Sequence, residues 1–458
     1  MNRMEEYQDL MQEIEQPIAN LENTFNRAKR KKVRRDRIRR PIVGLTSAFL
    51  IFVLMVNFCT PVAYACSQIP FIKELAEAVT FSRSLTDAVD NEYVQPLYLE
   101  QTDGDVTATV EYLIVDQKQV NIFFRLQSET YTELSIEPHI KAEDYGFLSN
   151  SCGVNDFDVP NGKLQSVTVD FVEDNVPGRL RFLLDIRDQS LYENGGMGVE
   201  VVGEVEDAMF VDYVPDTTGY VASFDFLLEF DPMFTAAGKV IPINQTVALD
   251  GNEIIFTEMQ VYPTHLRVEV MDSESNDAWL KSLEFYIETD WGMKFDTISN
   301  GVTATGSGDS PFMSSFRADS SYFYDAKHLN IMITGATWLD KDMEKVYVNL
   351  KTGETGLLPE GVEFVGASKR DKGWLVGFRG KERKPNHGYQ LFSQTFYDAD
   401  GNKYEIDSWS SGLMGEEMKE GYFGEEFPLK NYFEDEVWLT PLYSHFWTPE
   451  EPVSIIVK

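Results

Sequence analysis

The chain has 458 residues, 43% of them hydrophobic and 13% aromatic, which is enough for packed cores and excludes a wholly disordered protein. The formal net charge of −35 is unevenly spread: residues 1–65 carry eleven Lys/Arg and seven Asp/Glu, whereas residues 66–458 carry 29 basic and 68 acidic groups. An acidic part of that size repels nucleic acid, and three cysteines (Cys59, Cys66, Cys152) exclude a disulfide scaffold.

In chain order, residues 1–41 come first. Leu10, Ile14, Ile18, Leu21 and Phe25 recur at helical spacing and form one apolar stripe. Pro17 interrupts it, so two short helices are predicted. Helices this short cannot bury such a stripe alone, which makes it a candidate contact for a cytosolic partner. A basic block follows and ends in Arg34, Arg35, Arg37, Arg39 and Arg40.

Residues 42–65 carry no charge. As a helix they would extend about 36 Å, enough to cross a hydrocarbon core of about 30 Å, so a transmembrane helix is predicted. Beyond it, Lys73 and Arg83 are the only basic residues before Lys118. The charge bias predicts a single-pass protein of the cell membrane, with its N-terminus in the cytoplasm and residues 66–458 outside. Ala63 and Ala65 flank Tyr64 in a small-residue pattern that makes a candidate cleavage motif. A retained span is the leading reading; cleavage there and a lipid on Cys66 are the alternatives.

Residues 66–95 have helical spacing (Ile72, Leu75, Ala76, Val79) and form a predicted exit segment. From there the period changes to two. "DVTATVEYLIVD" places Val106, Ala108, Val110, Tyr112 and Ile114 on one face of a strand. Similar runs, separated by Asp, Asn and Gly turns, continue to the C-terminus and predict antiparallel sandwiches. A faint repeat relates the runs from Asp103 and from Asp250, with Val120, Ile122 and Phe124 matching Leu266, Val268 and Val270. The fold expected is mainly β: tandem immunoglobulin-like sandwiches at 96–245 and 246–357 and a third β-rich domain at 358–458. The Gly/Ser-rich stretch 299–315 reads as a long mobile loop.

Chemistry is sparse in the sequence. The five histidines are too far apart for a local metal motif, and His265 and His328 read as surface residues. No nucleophile elbow or phosphate-cradling loop is present, so no catalytic residue, metal, cofactor or enzyme activity is expected. "DADGNKYEIDSW" from Asp398 lacks Gly and Glu where a calcium loop needs them, and reads as a hairpin turn. The aromatic-rich segment near the C-terminus reads as core and edge strands, with a carbohydrate or protein contact surface as the alternative.

The stretches "LENTFNRAKRKK", "TPVAYACSQIPFIKELAEAV", "DAVDNEYVQPLYLEQTDGDVTATVEYLIVDQKQVNIFFRL" and "DGNEIIFTEMQVYPTHLRVEV" resemble a family of single-pass membrane proteins of Gram-positive bacteria. Their ectodomains have no assigned function, and they are often encoded beside extracytoplasmic-function sigma factors. The resemblance implies an anti-sigma-like regulator whose cytoplasmic segment contacts a sigma factor and whose ectodomain senses an unknown envelope ligand or protein. A surface binding or structural module held by one span is the other expectation.

Overall fold

The computed structural model describes residues 69–458, apart from 132, 143–145, 149–152, 155–157, 161, 172–174, 189–198, 202–212, 216–219, 236, 299–300, 307–309, 384–388, 411–419 and 458. The predicted cytoplasmic helices with their stripe, the basic block, the transmembrane segment, the Ala63/Ala65 motif and all three cysteines lie outside the described residues. Among the described residues no helix is long and apolar enough to cross a membrane. The fold is mainly β, and every strand pairing described is antiparallel.

Two helices open the described chain, α1 (Ile69–Ala78) and α2 (Arg83–Asp90). Ser82 caps α2 by accepting a hydrogen bond from the Leu85 N–H at 3.4 Å. The first pair of sheets follows. One sheet contains β1 (Gln95–Asp103), β2 (Val106–Val115), β3 (Gln119–Ser128), β6 (Gly153–Val154) and β8 (Leu164–Asp170), in the order β1-β2-β3-β8-β6. The facing sheet contains β4 (Glu133–Ala142), β5 (Gly146–Leu148), β7 (Asp158–Pro160), β9 (Arg179–Asp188) and β12 (Tyr220–Glu229). A separate short pair joins β10 (Val199–Val201) to β11 (Tyr213–Pro215).

Simple alternation along β2 fails halfway. A bulge at Glu111 breaks the register with β3 between Val110 and Tyr112. One extra residue inverts which side chains face inward. Val106, Ala108, Val110, Leu113 and Val115 therefore enter the core between the sheets. Tyr112 and Ile114, expected on that same face, turn to the opposite side with Phe123. Both faces of this sheet are thus covered, which is why β2 and β3 read as nearly continuous apolar runs.

The second pair repeats this plan. β13 (Lys239–Leu249), β14 (Asn252–Val261), β15 (Leu266–Asp272), β18 (Ala304–Gly306) and β19 (Met313–Ala318) form the order β13-β14-β15-β19-β18. The repeat extends to the irregularities. The β1/β2 register shifts after Pro96 and the β13/β14 register after Pro242, 146 residues later. Tyr98 and Asn244, at the same offset, both take positive φ in these bulges (54° and 52°). The β14/β15 bulge at Thr257 again stands 146 residues from Glu111. The facing sheet contains β16 (Ala278–Thr289), β17 (Lys294–Phe295) and β20 (Leu329–Asp340).

The third pair comprises β21 (Val346–Asn349), β24 (Phe392–Tyr397), β25 (Lys403–Glu405) and β27 (Glu436–Pro441) opposite β22 (Val362–Arg370), β23 (Gly373–Lys381) and β26 (Tyr422–Lys430). The D-A-D-G-N run forms the β24–β25 hairpin, where Asp398 Oδ1 accepts from the N–H groups of Asp400 (3.0 Å) and Asn402 (2.8 Å). The chain then leaves this pair. β28 (His445–Trp447) and β29 (Val453–Ile456) both pair with β20, so the C-terminal strands complete the second pair of sheets.

Candidate functional site

The residues with the most unusual environment lie where α1 and α2 meet the first two pairs of sheets. Leu75, Val79, Leu85, Ala88 and Val89 are buried against Tyr112, Ile114, Phe123 and Leu164 on the outer face of the first sheet, with Phe323 from the second pair at the edge. Each large apolar side chain so buried stabilises the docking by about 1.5–3 kcal/mol. That outweighs the intrinsic preference of two helices of ten and eight residues, which would not persist alone.

Polar contacts set the orientation of α2. The Ser84 hydroxyl donates to Asp319 Oδ1 (2.8 Å) and accepts from the Ser320 N–H (2.8 Å). Arg83 lies over the Phe295 ring at 4.6 Å and donates to the Lys294 carbonyl. The Tyr324 hydroxyl donates to Asp87 at 2.7 Å. Burial pushes the carboxyls of Asp87 and Asp319 above their ordinary range, opposed by these hydrogen bonds. The second helix of the exit segment is therefore gripped by residues of the first two pairs of sheets.

Beneath it the two sandwiches share a buried polar cluster. Asp116, in the β2–β3 turn, accepts at Oδ1 from the N–H groups of Lys118 and Gln119, and at Oδ2 from Thr264 N–H (3.0 Å) and its hydroxyl (2.6 Å). His265 Nδ1 lies 2.8 Å from Thr264 Oγ1, and Arg267 Nε donates to His265 Nε2 at 2.9 Å. Since Arg267 can only donate and Thr264 Oγ1 gives its proton to Asp116, this network requires neutral His265 with its proton on Nδ1. Asp170 receives Arg317 Nη1 and Gln119 Nε2 at Oδ1, and the Val302 N–H (2.7 Å) at Oδ2. Gly301 makes that last approach possible: a Cβ there would come within 2.3 Å of Asp170 Oδ2, and its φ is +83°.

Two expectations are corrected here. His265 is fully buried, not a surface residue, because the turn carrying it packs on Asp116. His328 is exposed. The described part of the 299–315 stretch is not a free loop: residues 304–306 pair with β19, and Val302 binds Asp170. Its glycine serves close approach.

Burial, followed by the positive Arg317 and Arg267, holds His265 well below the usual histidine range. Arg267 itself is lowered to about 10, chiefly by burial and by Arg317. The sign for stability follows directly. Below pH 6.5 the unfolded chain protonates His265 and the folded chain does not, so this stabilisation is present at neutral pH and lost on acidification. Burial raises Asp116, which contributes in the opposite direction. The contribution of His265 is isolated by comparing wild type with His265→Gln in denaturant titrations. The stability gap is expected to narrow by about 1.4 kcal/mol between pH 7.5 and 5.5; parallel pH curves would refute the neutral buried histidine.

The acids, His265 and the Thr264 hydroxyl of this cluster are sealed from solvent and hydrogen-bonded within it, while Arg317 Nε and Nη2 are buried without a hydrogen-bond partner. Among the described residues no group of three or more His, Cys, Asp or Glu is placed to hold a metal ion. None of the side chains named as sites from the sequence takes part, since all lie outside the described residues. Sequence reading missed the cluster because its members come from segments well separated in the chain. The one local signal was Thr264-His265 and Arg267 in a strand-turn otherwise rich in apolar residues.

Two family models match parts of the chain: "Domain of unknown function (DUF4179)" over residues 34–128 and "Family of unknown function (DUF5643)" over residues 238–362. No curated protein matches. Among solved structures, the chain aligns with "the conserved domain protein from Bacillus anthracis" at 13% identity and a TM-score of 0.33, covering 58% of this chain and 84% of that one. It also aligns with a marsupial T cell receptor at 7% identity and a TM-score of 0.13, covering 75% and 95%. The chain is thus similar, over two separate stretches that meet its first two pairs of sheets, to families whose function is unassigned.

Proposed function

We propose that this chain is a membrane-anchored signalling regulator of the anti-sigma kind. In this reading residues 42–65 span the membrane, residues 1–41 contact a cytoplasmic sigma factor, and the β-rich part senses a ligand or protein outside the cell. The observation that supports it is the docking of residues 74–90. A passive anchor needs only a flexible tether after the span, yet here the exit segment is buried against one sandwich and hydrogen-bonded to the other. A change in how the sandwiches meet would therefore be felt by the chain that leads to the membrane. Immunoglobulin-like tandem architecture and release by cleavage at Ala63–Ala65 belong to the same proposal.

The test is a pull-down of the cell's sigma factors with residues 1–41. Capture of one sigma factor is expected. The pair Ile14→Asp and Leu21→Asp is expected to weaken it at least about tenfold by charging the stripe. If the stripe variant captures it equally well, or if no sigma factor is retained, the regulator reading fails and a surface binding module takes its place.

A further inference from the structure

Helix α2 meets the second pair of sheets through two half-buried carboxyls, one on each side of the contact. Asp87 belongs to the helix and Asp319 to the segment that follows β19. Asp319 Oδ1 accepts from the Ser84 hydroxyl (2.8 Å) and from the Ser84 N–H (3.2 Å) in the first turn of α2. Asp87 Oδ1 accepts from the Tyr324 hydroxyl at 2.7 Å, while its Oδ2 is buried without a hydrogen-bond partner. The ion pair of that oxygen with Arg83 Nε is long, at 3.8 Å. Arg83 lies instead over the Phe295 and Tyr324 rings, at 4.6 and 5.7 Å, and donates to the Lys294 carbonyl.

Docking of α2 thus takes two carboxyls largely out of water. In exchange they receive two hydroxyls, one backbone N–H and a loosely placed guanidinium. The charged groups that act on them are Arg83 and Asp90 of α2, Asp296 after β17, and Asp319 on Asp87. Arg83 favours the charged forms; the other carboxylates oppose them. The first sheet meets α2 with Tyr112 and apolar side chains. Burial is the largest influence on both carboxyls and holds both above the ordinary value of 3.8, against the hydrogen bonds from Tyr324 and Ser84. Tyr324 is itself raised above 10.0, chiefly by burial, so it remains a donor at acid and neutral pH.

We propose that α2 is a proton-operated latch, fastened to the second pair of sheets when Asp87 and Asp319 take up protons and loosened when both are charged. Its consequence for signalling rests on the regulator reading above; the latch itself does not. The sign follows from linkage. Released from its contact, α2 returns both carboxyls to water and to their ordinary value. The docked carboxyls bind protons more readily than the released ones, so docking strengthens as pH falls from neutral towards 3.8. His265 acts with the opposite sign, but on unfolding of the chain rather than on release of the helix.

The test is hydrogen exchange of the full chain in detergent, read by mass spectrometry at pH 7.0 and 5.0, with exchange times scaled for the intrinsic pH dependence of amide exchange. Protection of residues 83–90 relative to residues 120–126 of β3 is expected to rise about twofold at pH 5.0. Asp87→Asn with Asp319→Asn keeps the shape of both side chains and removes both titrations, and is expected to abolish the rise. Each single variant is expected to keep only part of it. The proposal is overturned if wild-type protection is unchanged or falls at pH 5.0, or if the double variant rises as wild type does. Should the double variant leave β3 unprotected, the single variants decide: a full wild-type rise in both overturns the latch. No sigma factor enters this measurement, so failure of the latch and failure of the regulator reading are separate results.

Discussion

Arg317→Met is expected to destabilise the chain by about 3–5 kcal/mol, the cost of leaving a buried charge without its partner. Arg317 is 1% exposed and its Nη1 donates to Asp170 Oδ1. Without the guanidinium, Asp170 keeps Gln119 Nε2 at 2.8 Å and the Val302 N–H at 2.7 Å. These hydrogen bonds are neutral and do not cancel its charge. Methionine fills much of the vacated volume, so the loss reports electrostatics more than a cavity. Adding Asp170→Asn removes the stranded charge, and the double variant is expected to recover at least about half of the loss. Denaturant titration followed by circular dichroism checks both. A single variant within about 1 kcal/mol of wild type would show that the pair does not hold the sandwiches together.

The second large effect is expected from Leu85→Asp. Leu85 is fully buried in the apolar layer between α2 and the outer face of the first sheet. A carboxylate there has no basic partner within the layer, and its burial would cost more than the lost leucine contacts. The cheaper outcome is release of the helix pair. Residues 74–94 should then become sensitive to protease, while Tyr112, Ile114 and Phe123 become accessible to a hydrophobic dye. The core between the two sheets of the first pair does not include Leu85, so its strands should persist. Asp90→Asn, at an exposed position of the same helix, is the control. If Leu85→Asp leaves the proteolysis pattern unchanged, the exit helices are not held as described. In full-length protein the same variant should also change sigma-factor retention if the docked helices carry the signal.

How much of this was readable from residue order depends on distance along the chain. Period-two patterning located most strands because one face of each is covered, whatever covers it. The exit helix was legible from Leu75 and Val79, which are both buried. The repeat was legible too, since Val120, Ile122 and Phe124 and their partners Leu266, Val268 and Val270 are all core residues. Its alignment needed the structure. The Asp-Gly dipeptides at Asp103 and Asp250 are one position out of register with the true 146-residue offset, whereas the bulges obey it. A bulge adds one residue without a distinctive side chain, so composition does not announce it. That is why Tyr112 and Ile114 were assigned to the wrong face.

The candidate junction was hardly legible. His265 in isolation resembles any turn histidine; its burial depends on Asp116, 149 positions earlier.

Residue order alone set the charge asymmetry, the uncharged run at 42–65 and the preference for strands, because these follow from local composition and periodicity. Folding settled which faces meet: helices on the outside of the first sheet, a sealed ionic cluster between two sandwiches, and C-terminal strands that return to β20. Those outcomes depend on shape and charge matching between segments from tens of residues to more than a hundred residues apart, and short-range patterning carries no record of such pairings.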